Sequence, residues 1–362
     1  MKRLFFLTLI ASIGVTFSTA QSLSNVEESQ LSKPSERTTI QMPDIPGYKT
    51  LKCDFHTHTV FSDGLVWPTV RITEAWEEGL DAIAITDHIE YLPHEDYVQG
   101  DYNASYKIAR PLAEKNDLIL IRGGEITREM PPGHLNGLFL DDVNALDTEK
   151  PEDALQAVVD QGGFVLWNHP GWKAQQPDTC EWMEMHQELF EEGLIHGIEV
   201  FNSTQWYPVA IDWCLEKDLA MIGNTDIHDL TAHAYDLENG HRPMTLVFAE
   251  ERSEEAIRDA MFEKRTVAWF GDKMIGREDM LKKLFKASVE FMDTNRSEEN
   301  DNVLRIKNTA DIPFRLSDKE SFEAIIPALG ETYLTLPEGK DNFYVTNLYV
   351  GTEKVLKTEF PF

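Results

Sequence analysis

From residue 48 onward, short apolar runs alternate with longer segments whose apolar positions recur every three to four residues. The runs lie at residues 48–53, 82–86, 118–121, 164–167, 197–201, 220–223 and 244–248. Each is near-continuous rather than alternating, the pattern of strands buried on both faces. The segments between them predict helices over residues 68–78, 102–115, 152–161, 181–192, 209–217 and 253–264. Ile72, Ala75 and Trp76 share one face of the first, Gly79 closes it, and Ser253 is a good N-cap for the last. A further strand over residues 135–140 returns from an excursion carrying Pro131-Pro132-Gly133-His134. Seven strand–helix units in order predict an α/β fold with a parallel sheet. The polar candidates described below follow the strand ends, so a closed or nearly closed barrel fits better than an open sheet.

After about residue 284 the pattern changes. Residues 287–291, 303–306, 312–316, 332–336, 343–350 and 355–360 read as short strands separated by turn residues. This predicts a small all-β, sandwich-like domain over residues 285–362. At the other end, Lys2 and Arg3 precede an apolar run to Phe17, and Ser18-Thr19-Ala20 offers small residues before Gln21. That order predicts an export signal over residues 1–20, too short for a membrane span, with a periplasmic or extracellular destination. Residues 21–47 are polar and aperiodic, a linker. The barrel is expected over residues 48–284.

The formal net charge is −30. Such an acidic chain repels the phosphate backbone, which argues against a nucleic-acid polymer as partner. Three cysteines, Cys53, Cys180 and Cys214, are too few for a disulfide framework, although a Cys180–Cys214 bridge stays open. Oligomeric state is not legible.

The chemistry gathers at the strand ends. His56 and His58, two apart, present both imidazoles on one side of the first strand's end, and Asp63 follows in a turn closed by Gly64. His88 follows the second strand and Glu125 the third, while His134 sits in the excursion. His169 follows the 164–167 strand. Asp226 and His228, after the 220–223 strand, repeat the spacing of His56 and His58. Neutral imidazoles with carboxylates suit divalent transition metals, and this set suffices for two or three ions sharing a bridging carboxylate.

With these residues the chain resembles the PHP (polymerase and histidinol phosphatase) metallohydrolases. The resemblance rests on Asp54-Phe55-His56-Thr57-His58, Ser62-Asp63-Gly64, the run from Gly79 to Asp87-His88, Gly124-Glu125, Asn168-His169-Pro170 and Thr225-Asp226-Ile227-His228. It spans residues 48–275 and implies a distorted (β/α)7 barrel with a trinuclear site. It further implies that His56, His58, Glu125 and Asp226 hold one metal. Glu125 would bridge to a second with His134 and His169, and Asp63, His88 and His228 would hold a third. Asp63 stands where some members carry histidine. Manganese, iron or zinc would be the ions.

The resemblance implies a phosphoesterase acting on small anionic phosphate esters, diesters slightly favoured over monoesters, with a metal-bridging hydroxide as nucleophile. Arg128 and Arg242 are the cations expected at the phosphate. His94 or a coordinated water is the candidate general acid, His94 and His241 could touch substrate, and Trp172 and Trp206 are candidate pocket walls. Hydrolysis of a carboxylic ester, lactone or amide is the competing activity, and a non-catalytic metal-binding protein the competing class.

Overall fold

The apolar runs become strands because each alternates its side chains between two hydrophobic layers. In the strand Ala82–Ile85, Ala82 and Ala84 point into a barrel interior with Phe55, Ile121, Phe164, Leu166 and Ile222. Ile83 and Ile85 point outward beneath helices that supply Ile72, Ala75 and Ala109. Burying each Ile, Leu or Phe side chain of these layers contributes roughly 1.5–3 kcal/mol, and each Ala less. The structure, a computed structural model, describes residues 36–292 and 303–361, with Glu28 and Leu31 besides. The expected export signal lies outside the described residues, as do residues 21–27, 29–30 and 32–35 of the expected linker, while its described end packs Ile40 and Ile45 into the core.

In chain order the barrel elements are β1 (Lys49–Asp54), α1 (Pro68–Glu77), β2 (Ala82–Ile85), α2 (Ala104–Lys115), β3 (Ile119–Thr127), β4 (His134–Leu138), α3 (Pro151–Asp160) and β5 (Phe164–Trp167). They continue with α4 (Glu184–Glu191), β6 (Gly197–Asn202), the short β7 (Gln205–Trp206), α5 (Pro208–Glu216), β8 (Ala220–Asn224), the single turn α6 (Thr231–Ala234), β9 (Met244–Ala249) and α7 (Glu254–Phe262). Strands β1, β2 and β3 pair in parallel, as do β5, β6 and β8. Strand β4 lies between the two groups, antiparallel to β3 and to β5.

Two strands depart from the all-parallel expectation. Because β4 is reached by the short excursion after β3, it must run back alongside it, as antiparallel neighbours joined by a short connection do. Strand β9 pairs antiparallel with β1, Cys53 opposite Thr245. It therefore occupies the flank of β1 over Lys49–Cys53, and β8 reaches β1 only beyond that point. There the chain after β8 closes the barrel: Asp226 N–H donates to the His56 carbonyl at 2.9 Å, and His58 N–H to the Ile227 carbonyl at 3.0 Å.

The chain then forms β10 (Thr266–Phe270), β11 (Lys273–Gly276), α8 (Glu278–Ser288), β12 (Val289–Met292), β13 (Val303–Asn308), β14 (Phe314–Ser317), β15 (Glu323–Ile326), β16 (Glu331–Thr335), β17 (Asn342–Gly351) and β18 (Lys354–Glu359). Strands β12, β13 and β16 make a separate three-stranded sheet. The β14, β15, β17 and β18 group joins the barrel sheet through a parallel pairing of β11 with β17, Met274 opposite Leu348. Phe314, Phe343 and Phe360 share one apolar core with Leu80 and Phe285, so the β-rich segment is welded to the barrel's flank. The β10–β11 hairpin and α8 have no counterpart in the sequence reading, and neither has β15. Among the described residues no helix is long and apolar enough to cross a membrane. All three cysteines are free.

Candidate metal centre

The two closing backbone hydrogen bonds set the geometry of the site. They hold the tails of β1 and β8 side by side as a short parallel ladder, with Thr57 bridged to Ile227. His56 and His58 on one tail thereby face Asp226 on the other. Asp226 reaches this position with φ 53°, and His169 adopts φ 28° at the end of β5. A left-handed backbone at a non-glycine residue costs of order 1–3 kcal/mol and persists only where surrounding contacts over-determine it. Gly64 is required nearby, since a Cβ there would lie 2.7 Å from the His58 backbone.

All nine candidate residues meet at this end of the barrel, in three overlapping groups. In the first, His56 Nε2 and His58 Nε2 are 3.1 Å apart, each 3.1 Å from Asp226 Oδ1. Glu125 Oε2 lies 3.4 and 3.3 Å from the same two nitrogens. In the second, Glu125 Oε1 lies 3.1 Å from His134 Nδ1 and 3.6 Å from His169 Nε2. In the third, Asp63 Oδ1 lies 3.4 Å from His88 Nε2 and 3.1 Å from His228 Nε2. His88 Nδ1 also approaches Glu125 Oε2 at 2.8 Å, tying the third group to the other two. His56, His58, His88, Glu125, His134 and His169 are buried, whereas Asp63, Asp226 and His228 border the open side with exposures of 23, 18 and 35 %.

A second layer fixes these side chains. Glu199, wholly buried on β6, accepts from His56 Nδ1 at 2.9 Å and from the His169 backbone N–H at 2.7 Å. Donation from Nδ1 orients the His56 ring so that Nε2 faces the centre, where an ion displacing its proton would find the lone pair. Asn224 and Asn202 amides complete the Glu199 contacts. Asn168 Nδ2 donates to Glu125 Oε1 at 2.9 Å, and His228 Nδ1 donates to the Asp226 carbonyl at 2.8 Å. The sequence reading missed Glu199, although one acid inside the apolar run Ile198-Glu199-Val200 is the signal that could have found it. Asn168 stands in the sequence only as part of the Asn168-His169-Pro170 motif, and nothing local marks it as an amide aimed at Glu125.

The electrostatics are mutual. Burial opposes a charge on His56, but Asp226, Glu125 and Glu199 outweigh it and raise its pKa well above the ordinary value. Burial likewise opposes charge on His88, which Glu125 and Asp63 overcome, lifting it to about 10. His58 goes the other way, to about 3, because burial and the neighbouring His228 and His88 all disfavour its proton. Burial pushes Glu125 upward, yet His88, His56 and His134 hold it well below the carboxylate range, and Asp226 and Asp63 are lowered by their imidazoles in the same way.

Arg242 corrects the sequence reading. Arg242 is buried with its Nη2 on Asp54 Oδ2 at 2.5 Å and its Nη1 on Glu78 Oε2 at 3.1 Å, so it is not placed to meet a phosphate. A buried guanidinium must be neutralised where it stands, and here it ties β1 to the segment before β9. Arg128 is engaged by Glu90 at 2.8 Å and by the carbonyls of Thr148 and Glu149. Trp172 does wall the centre, its ring 5.6 Å from His134 and 5.4 Å from His169. Trp206 instead packs on Tyr349 of β17, and His241 packs on Trp269. The His94 carbonyl closes a turn with the Tyr97 and Val98 N–H groups.

The donors fit divalent transition metals. Separations of 3.1–3.4 Å among His56 Nε2, His58 Nε2 and Glu125 Oε2 suit three ligands held roughly 2 Å from one ion, with Asp226 Oδ1 3.1 Å from both nitrogens. Glu125 Oε2 and Asp63 Oδ1 are buried without a hydrogen-bond donor while imidazole nitrogens ring them, a cost that a cation would remove.

No family model matches the chain. An uncharacterised protein of Methanocaldococcus jannaschii is 35% identical over 82 residues, which are 23% of this chain and 36% of that protein, so the match spans about a third of the relative's length. A histidinol phosphate phosphatase from Lactococcus lactis, solved with zinc, L-histidinol and phosphate, is 19% identical over 58% of this chain and 94% of its own, with a TM-score of 0.33. Much nearer is a two-domain Bacteroides vulgatus protein containing a predicted PHP-like metal-dependent phosphoesterase. It is 45% identical and superposes with a TM-score of 0.86 over 91% of this chain and 99% of its own. Likeness of that extent, through barrel and β-rich segment alike, makes this chain a member of the PHP-like metal-dependent phosphoesterase family.

Proposed function

We propose that the protein hydrolyses small anionic phosphate esters, phosphodiesters slightly ahead of monoesters, using two to three divalent ions of manganese, iron or zinc. The observation that carries this reading is the sharing of Glu125 between donor groups. Its Oε2 faces His56 and His58, and its Oε1 faces His134 and His169. Ions held by the nine residues would supply Lewis acidity and lower the pKa of a coordinated water toward neutrality.

The chain's own groups prepare the site. Glu199 keeps His56 Nε2 directed inward, and Asn168 holds one Glu125 oxygen while the other stays free. Trp172 packs against His134 and His169 and walls that side of the centre. Phosphate recognition rests chiefly on the centre itself, since Arg242 is spent on a buried ion pair and Arg128 is paired with Glu90. The net charge of −30 supports a small anion drawn to a locally positive centre rather than a polyanion. Export is part of the proposal and rests on the basic, apolar, small-residue order of residues 2–20.

The test compares a bis(aryl) phosphate, an aryl monophosphate and an aryl carboxylate ester with matched leaving groups. The protein is stripped with chelator and reloaded with manganese, iron or zinc. Phosphate-ester turnover that returns with metal is expected. Faster cleavage of the carboxylate ester would overturn the phosphoesterase reading.

A further inference from the structure

Beside the centre lies a cavity of about 530 Å3, within the usual range for a small-molecule site. His88 belongs to both: one face lines the cavity, and Nε2 stands 3.4 Å from Asp63 in the third donor group. The rest of the wall comes from Phe61, from Asn144 and from the loop between β2 and α2, including Leu92, Glu95, Asp96 and Val98. The wall contains no Lys or Arg. Two of its carboxylates are already answered, Asp87 by Thr59 and Ser62, and Asp101 by Lys107 at 2.9 Å. Glu95 and Asp96 are exposed, and no cation pairs with them among the described residues.

We propose that this cavity receives the alcohol part of the substrate and that it selects an uncharged polyhydroxylated group, a sugar or polyol, over one bearing a second anion. The inference rests on the phosphoesterase reading for the position of the phosphate at the centre. From there the ester oxygen points past His88 into a chamber of negative sign. Hydroxyl groups find acceptors in Glu95 and Asp96, and the C–H faces of a polyol find Phe61, Leu92 and Val98. A carboxylate or second phosphate would meet two unneutralised like charges with no Lys or Arg in the wall to compensate.

A matched pair of probes isolates the charge. Glycerol 3-phosphate and 3-phosphoglycerate share one skeleton and differ only in a terminal hydroxymethyl group against a carboxylate. Their binding to metal-loaded protein is measured by calorimetry, separately from aryl phosphate turnover. Glycerol 3-phosphate should bind tighter by about tenfold at low ionic strength, the scale of two like charges under 10 Å apart near a protein surface. In Glu95→Gln/Asp96→Asn the ratio should narrow to within about twofold, and added salt should narrow it in the parent. Equal binding of the two probes, or a ratio unchanged in the double variant, would overturn the inference and leave the phosphoesterase reading standing. Loss of all phosphate-ester turnover with the binding ratio intact would do the reverse, keeping a polyol-selective chamber and discarding the reaction.

Discussion

Glu199 Oε1 lies 2.9 Å from His56 Nδ1, and both side chains are fully buried. Its other oxygen accepts the His169 backbone N–H, so one carboxylate orients ligand candidates from β1 and β5 together. Replacing it by Gln puts an amide N–H against either His56 or the His169 N–H. Glu199→Gln should lower metal affinity by roughly 10–100-fold, the usual range for a residue that orients a ligand. Competitive chelator titration measures this, with circular dichroism showing the fold retained. Unchanged affinity would remove Glu199 from its positioning role.

Glu125 should be the costliest single loss, because it faces both the first and the second donor groups. Glu125→Ala is expected to lower bound metal by more than one ion per chain, and Asp226→Asn by about one, with turnover abolished in each. Elemental analysis after metal-supplemented expression decides it. Equal metal content in parent and Glu125→Ala would contradict the bridging assignment. Folding should survive both changes, since the core is built by residues such as Ile83, Phe164 and Trp167 rather than by the donors.

Arg242 makes a stability prediction in place of a catalytic one. Arg242→Met leaves Asp54 buried and ionised, with only Thr225 and the His56 N–H as donors. The expected loss is about 3 kcal/mol. Asp54→Asn/Arg242→Met should recover part of it. A folded Arg242→Met protein of parental stability but raised KM would restore the phosphate-contact role that the structure denies it.

His196 predicts a pH dependence away from the centre. Its Nδ1 accepts the Val165 N–H, and its ring packs on Phe164 and Phe262. Burial lowers its pKa from 6.5 to about 4, with Lys264 adding to the shift and a backbone contact at Gly193 opposing it. Because the folded value is depressed, the unfolded chain binds the extra proton first as pH falls. Stability is whole above 6.5 and declines between 6.5 and about 4. The decline should reach about 2 kcal/mol after allowance for partial exposure. Urea denaturation across that window should show a shallower slope in His196→Asn, whose amide oxygen still accepts the Val165 N–H. Identical slopes would show that His196 does not set the dependence.

The export proposal is checked by N-terminal sequencing of secreted material, expected to begin at Gln21. An intact Met1 on soluble cytoplasmic protein would refute it.

Much of the barrel was legible because near-continuous apolar runs such as Phe164–Trp167 and periodic segments such as Pro68–Glu77 answer to local spacing. Titratable residues placed just after those runs marked the end of the barrel where the site lies, since strand ends share one face of such a fold. The direction of β9 was not legible, because an apolar run reads the same in either orientation and only its partner decides. The same holds for the welding of β17 to β11, a contact across more than 70 residues of chain. Nor could local pattern separate a free arginine from a buried one. Arg242 and Asp54 are 188 residues apart, and only the fold, by placing both in one water-free space, obliged them to pair. Glu199 became an orienting group for the same reason. What a charged side chain does is decided by the partner that tertiary structure leaves beside it once water is gone.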